Sequence, residues 1–445
     1  MPNNEIAKMK RVYLDHAATT PLDVRVKNAM EPFWREDFGN AGGLYEEGRL
    51  AKNFLSQFRE TIAKLIGARA DEIIFTSGGT ESDNLAIFGV AAAIAPRSST
   101  LGVESPKTPS VFPRGAHIIT TKFEHHAVLE PCQQLVKEGF DVTFLDVGEY
   151  GLINSEDVRK ALRPETILVS IMYANNEIGT IQPIAEIGKI IKEFRELKRK
   201  SYPLFHTDAC QAAGYLDLTV NNLGVDLMTI NGSKIYGPKG IGFLYKRAGV
   251  KIKPQIIGGG QEMRMRSGTE PMALIAGLAM ALEIVQAEKE SESNRLAPLR
   301  DYFIEQLMNK IPKVVLNGHP AKRLPNNVNI SILDIEGEAL VLYLDAKGIS
   351  FSTGSACTSE SLEPSHVILA LGKPYEFAHA SMRFTMGRGT VKENLDYVLG
   401  ELPNAVEWLR KVSPLNLELG AKTMSHPEAF AGENLRVKAR SKSYK

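Results

Sequence analysis

Cysteine is scarce in this chain. Three occur in 445 residues, at Cys132, Cys210 and Cys357, and no two form a C-x-x-C pair. That scarcity argues against a disulfide framework or a thiolate-built structural zinc site, and it fits a reducing, cytoplasmic setting. Long hydrophobic runs are also missing. The most apolar stretches, "AIFGVAAAIA" and "MALIAGLAMALEIV", are too short to span a bilayer, and the N-terminal "MPNNEIAKMKRVYLDHAATT" lacks an apolar core of signal-peptide length. Neither sign of charge dominates, with 53 Lys plus Arg against 52 Asp plus Glu. No global field therefore recruits nucleic acid or an anionic membrane, and a partner must be recognised locally. No internal repeat is present.

What the chain does have is alternation. Short β-rich runs such as "DEIIFTSG", "AHIITTKF", "TILVSIMYANN", "PLFHTDA" and "VDLMTING" are separated mostly by helix-length segments, the signature of a largely parallel sheet wrapped by helices. With "DVTFLDV" and "IGFLYKR" the runs number seven. The apolar period of "EPMALIAGLAMALEIVQAEKE" predicts a long helix leading out of this region. Beyond it, "PNNVNISIL", "EALVLYLDAKGISFSTG" and "ASMRFTMGR" read as a smaller α+β unit. A chain of this length exceeds what one core usually supports. The expectation is an α/β fold with a large domain at 18–290 and a small domain made of 1–17 and 291–413. A polar, basic tail at 414–445 and a proline-rich surface excursion at 96–115 complete it.

Ligands collect at the carboxyl ends of parallel strands, and five polar stretches follow strands here. In "TSGGTESDN" two glycines free the backbone to turn into a helix, whose start offers N–H groups to an anion, although Thr80 and Asp83 also fit a plain capping box. "FEHHAV", read as strand, would place His125 and His126 on alternate faces, which is no recurring metal-ligand spacing, even with His206 and Asp208 added. "YANNEIGT" brings polar side chains. "HTDACQ" ends a buried strand in Asp208, either a helix N-cap or the partner of a ligand cation. "NGSKIYGPKG" sets Lys234 in a Gly- and Pro-rich turn. One cofactor unites three of these stretches. Pyridoxal 5′-phosphate needs a lysine for a Schiff base, an acid against its pyridinium nitrogen and an anion site for its phosphate, and Lys234, Asp208 and the "SGGT" turn supply them.

The stretches "YLDHAATTP", "FTSGGTESDNLAI", "EHHAVLEPC", "NNEIGTIQPI", "HTDACQAAG", "KIYGPKGIG", "MRSGTEP", "GSACTSESLEPSHVILALG" and "MRFTMGR" resemble, in this order from about residue 11 to about 413, the cysteine desulfurases. These belong to the class V aminotransferase branch of fold-type I pyridoxal-phosphate enzymes, and the "GSACTS" loop looks like the branch serving general or nitrogenase iron–sulfur assembly. The resemblance implies that Lys234 carries the cofactor and moves the substrate Cα proton, that Asp208 faces the pyridinium, that Gln211 donates to the ring's phenolic oxygen and that His125 stacks on the ring. It implies a phosphate turn at Gly79 and Thr80 and a cofactor and substrate contact at Asn176. Arg383 would clamp the substrate carboxylate. Thr269 would reach the phosphate of a neighbouring subunit in a homodimer. Cys357 would be the nucleophile that takes sulfur from L-cysteine as a persulfide, leaving alanine, on a loop whose Gly, Ser and Thr suit movement toward an iron–sulfur scaffold or other acceptor protein. No resident metal is implied, Cys357 being at most a transient iron–sulfur ligand.

The chain departs from the family pattern just before Lys234, where Asn231 and Ser233 replace the usual Ser and His at the phosphate. It departs again at "FGNAGGLYEEG", which replaces Pro-Ser-Ser and a histidine. Two alternative activities share the same machinery: a selenocysteine lyase, and another class V aminotransferase, which would not need Cys357.

Overall fold

The computed structural model describes residues 10–94, 115–354 and 363–413. Cys357, the tail from 414 and all of the expected 96–115 excursion except Gly115 lie outside the described residues.

Seven strands form one sheet: β2 (Ile73–Thr76), β3 (His117–Thr121), β4 (Asp141–Leu145), β5 (Thr166–Ser170), β6 (Leu204–Asp208), β7 (Leu227–Asn231) and β8 (Gly242–Lys246). Their order is β2-β8-β7-β6-β5-β3-β4. Most are buried on both faces, as the apolar and β-branched content of "IIFT", "TILVS" and "LMTIN" requires of a sheet covered by helices. The pairs from β7 through β4 are parallel, whereas β8 is antiparallel to both β7 and β2. The reason is chain length: only residues 232–241 join β7 to β8, and a parallel crossover needs a dozen or more. Two antiparallel steps restore the direction, so β2 runs the same way as β7. The carboxyl ends of β2, β3, β5, β6 and β7 therefore share one edge.

A second core gathers around a four-stranded antiparallel sheet, in the order β12 (Ser352–Thr353), β13 (Ser381–Thr385), β10 (Asn327–Ile332) and β9 (Val314–Leu316). A short parallel pair, β1 (Val12–Tyr13) with β11 (Ile349–Ser350), packs with it, burying Val12 and Leu14 beside Val328 and Phe384. One helix of 39 residues, Met272–Lys310, serves both cores. Its first half buries Ile275, Leu278 and Leu282 against the large sheet, and its second half buries Leu296, Phe303 and Leu307 in the small one. The helix expected from periodicity thus runs on past Pro298, because its apolar face changes partner midway. Among the described residues, no helix is long and apolar enough to cross a membrane.

Candidate active site

The shared sheet edge is where the polar stretches meet. Asp208 is the last residue of β6 and is 8% exposed; its Oδ1 accepts the N–H of Cys210 at 2.9 Å, and its carbonyl accepts that of Tyr173. No helix starts here, so Asp208 is not a helix cap: its carboxylate closes a turn, and its second oxygen stands outside that bond. Next in the sheet, β7 leads into a short 3-10 turn, Gly232–Lys234. Asn231 fixes this turn by accepting from the N–H (3.1 Å) and the hydroxyl (3.2 Å) of Ser233. Lys234 is half-buried, and its Nζ donates to the carbonyl of Ala18 at 2.5 Å. Gln211 donates from Nε2 to the adjacent carbonyl, Ala17, at 3.0 Å. The N-terminal "HAAT" segment thus lies across the carboxyl edge, bonded to both residues.

His125 does not lie on a strand, contrary to the reading of "EHH" as strand. β3 ends at Thr121, and the His125 Nδ1 accepts the N–H of Ala127 (3.1 Å) to cap the helix His126–Lys137. The physical reason is the orphan N–H groups of a helix start, which a ring nitrogen can satisfy. Burial lowers the His125 pKa, with Lys234 and Arg383 acting in the same sense and Asp208 opposing, so the ring is neutral at neutral pH. Asp208, Lys234 and Arg383 thus all lie near enough for their charges to act on this ring.

At the start of the helix Gly79–Ile94, a Cβ on Gly79 would meet Cys210 Sγ at 3.0 Å, and Gly78 has φ +150°. A side chain at Gly79 would press on Cys210 Sγ, and the positive φ of Gly78 is one that glycine adopts without strain. The expected capping box is not formed as read: Glu81, not Asp83, accepts the N–H of Ser77 (2.8 Å). Glu81 also pairs with Arg266 at 3.0 Å, which ties this turn to the segment carrying Thr269. Thr80 and Thr269 are exposed. Asp83 is instead buried beneath the site, with Oδ1 at 3.5 Å from His206 Nε2. Burial, reinforced by the Asp208 charge, holds its pKa well above the carboxylate range. His206, wholly buried between Ser170 and Thr229, is pushed down to about 4 by desolvation. Among the described residues no group of acids, histidines or cysteines is arranged to hold a metal.

Arg383, in β13, is 3% exposed. Its Nη2 donates to Asp15 at 2.8 Å and its Nη1 to the carbonyl of Asn176 at 3.1 Å, while its Nε is buried without a partner. Asn176 Oδ1 is likewise buried and unpartnered. Unmet polar atoms on a buried guanidinium and a neighbouring amide are what a bound carboxylate and its polar neighbours would satisfy. Cys132 and Cys210 are buried and unpaired, and burial raises both thiols far from reactivity.

Several acids escaped sequence reasoning. Besides Asp15, Glu124 is wholly buried, accepting from Thr121 Oγ1 (2.7 Å) and from the N–H of Met172, and Glu177 is 3% exposed. Burial raises Glu124 to about 8 and Glu177 to about 7. No local signal separates them from solvated acids. Glu124 yields a stability prediction. Its folded pKa lies above its unfolded value near 4.5, so its contribution is whole below that value and is lost as pH rises toward 8. His206 acts in the opposite sense, but only below its unfolded value of 6.5. Between pH 6.5 and 8, Glu124→Gln should therefore flatten the fall in urea-derived stability by up to about 1.4 kcal/mol per pH unit. An unchanged slope would mean that Glu124 is ionised throughout.

The aminotransferase class-V profile matches residues 12–398. A protein of Dictyoglomus turgidum named cysteine desulfurase IscS is 51% identical over 411 residues, covering 92% of this chain and 98% of that protein. A solved NifS-like protein is similar with TM-score 0.79 at 34% identity, covering 90% of this chain and 100% of the other. A solved structure described as SspA in complex with cysteine gives TM-score 0.71 at 34% identity, covering 85% and 99%. With more than half its length inside the family profile and a relative so similar over nearly all of both sequences, the chain belongs to the aminotransferase class-V family, among its cysteine desulfurases.

Proposed function

We propose that the protein binds pyridoxal 5′-phosphate at the carboxyl edge of the large sheet and uses it to move sulfur from L-cysteine onto Cys357. The observation that carries this reading is that Asp208, Gln211 and Lys234 meet at one sheet edge, where the adjacent carbonyls of Ala17 and Ala18 accept from Gln211 and Lys234. The residues present fit the cofactor. Asp208 offers a buried carboxylate to a ring N–H, the glycine turn at the start of the helix Gly79–Ile94 brings backbone N–H groups to the same edge, and Lys234 supplies a half-buried amine there. Bound there, the cofactor would supply an electron sink for the substrate Cα.

The chain's own residues do the rest. Lys234 Nζ moves the Cα proton. His125 keeps a flat, neutral face toward the ring. Gln211 has one Nε2 hydrogen on Ala17 and a second to give the ring's phenolic oxygen. Arg383 turns its unpartnered Nε to the substrate carboxylate beside Asn176. Asn231 and Ser233 hold the phosphate side of the turn through the bonds they already share, and Thr269 reaches the phosphate of a second subunit in a homodimer. Cys357 then attacks the substrate sulfur: the Cβ–S bond breaks, an S–S bond forms, and L-cysteine plus the enzyme thiol become alanine plus an enzyme persulfide. The persulfide goes on to an iron–sulfur scaffold or another acceptor protein.

Product analysis tests the reading. With L-cysteine and a thiol reductant the holoenzyme should release alanine and sulfide in equal amounts. A keto acid in place of alanine would make the protein an aminotransferase, and turnover confined to selenocysteine would make it a lyase for that substrate.

A further inference from the structure

Glu177 takes no part in the chemistry above, yet it is among the most constrained acids in the chain. Its backbone is fixed on both sides: the N–H donates to Asn175 Oδ1 at 2.9 Å, and the carbonyl accepts from Asn327 (3.0 Å) and Asn329 (3.2 Å) of β10. One residue away, the carbonyl of Asn176 accepts from Arg383, whose charge also acts on the Glu177 carboxyl. That carboxyl, 3% exposed, reaches the small unit and accepts the Ser365 hydroxyl on Oε2 at 2.5 Å. Gly354 packs on the same oxygen so closely that a Cβ there would overlap Oε2, and it would lie 3.0 Å from Ser365 Cβ. Ser365 is itself 2% exposed and caps the helix His366–Ala370 through the N–H of Ile368.

Gly354 and Ser365 are thus side by side on one carboxyl oxygen, and the residues between them in sequence, 355–364, include Cys357. We propose that Glu177 is a positioning residue for sulfur transfer: its carboxyl holds together the two ends of the segment that bears the nucleophile and ties them to the loop that contacts Arg383. The proposal rests on Cys357 as nucleophile. A carboxyl that accepts from Ser365, packs on Gly354 and feels the Arg383 charge is kept at a desolvation cost that an apolar side chain filling the same space would avoid.

The test uses full-length holoenzyme and separates substrate binding from sulfur transfer. Binding is read as the dissociation constant of L-cysteine from the change in the visible band, and transfer as the single-turnover rate of persulfide formation on Cys357, mapped with a thiol-reactive tag. Glu177→Ala should slow transfer at least about 10-fold, with the dissociation constant within about threefold, because misplacing a nucleophile by about an ångström costs rate and not affinity. Glu177→Gln keeps an acceptor for Ser365 and should restore most of the rate. Ser365→Ala should reproduce Glu177→Ala, and it keeps the test open if the latter does not fold. Transfer at the parent rate in both alanine variants, or binding and transfer falling together, would overturn the proposal. So would a glutamine variant as slow as the alanine one. Persulfide on another cysteine in the parent protein would instead remove the nucleophile reading itself.

Discussion

Cys357→Ala is expected to cut alanine formation from L-cysteine by at least ~10³-fold, the scale on which loss of one covalent nucleophile is felt. The variant should stay yellow and should still change spectrum when L-cysteine is added, since Asp208, Lys234 and Arg383 do not depend on the thiol. Persulfide should not form. The other two cysteines cannot substitute, because Cys132 is 0% and Cys210 8% exposed and burial raises both thiols. In the parent protein, tagging should find the persulfide on Cys357 and on neither buried cysteine. Sulfide release by the alanine variant at near-parent rates would make the protein a lyase that eliminates sulfur directly.

Asp208→Asn should lower turnover by about 10²-fold or more while leaving the fold intact, in keeping with the 2–5 kcal/mol that follow from removing one partner of a buried charge pair. The asparagine keeps the oxygen that accepts the Cys210 N–H, so the turn after β6 survives. What it loses is the charge that, in the proposed reading, would face the cofactor ring. The acids beneath cannot replace it: Asp83 and Glu124 are both driven toward their neutral forms chiefly by burial, which the substitution leaves in place. Circular dichroism should be unchanged, and the visible band should lose its response to substrate. Parent turnover would remove the electron-sink role from Asp208.

The two residues on which these predictions turn draw attention in the sequence for different reasons. Asp208 stands out in sequence because an acid closes an apolar run. Cys357 stands out because small polar residues surround it in a resembling motif. The large sheet was equally legible in runs such as "TILVS" and "LMTIN", whose β-branched content and turn-forming flanks agree. The antiparallel course of β8 was not stated from sequence, although the short 232–241 connection carried it. Strand alternation in "EHH" entered the sequence reading only as an argument against a metal site, whereas the need to cap the next helix sets the place of His125. The acids that escaped were illegible in principle. Asp15 meets Arg383 across 368 positions and Glu177 meets Ser365 across 188, so what makes each of them unlike a solvated acid lies far away along the chain.

The most direct test of the central claim is where the cofactor is attached. The purified protein should show a visible absorption band that borohydride removes, and digestion should place the reduced pyridoxyl group on the peptide containing Lys234. An adduct on Lys239 or Lys246, or a protein that gains no such band on incubation with pyridoxal 5′-phosphate, would contradict the account.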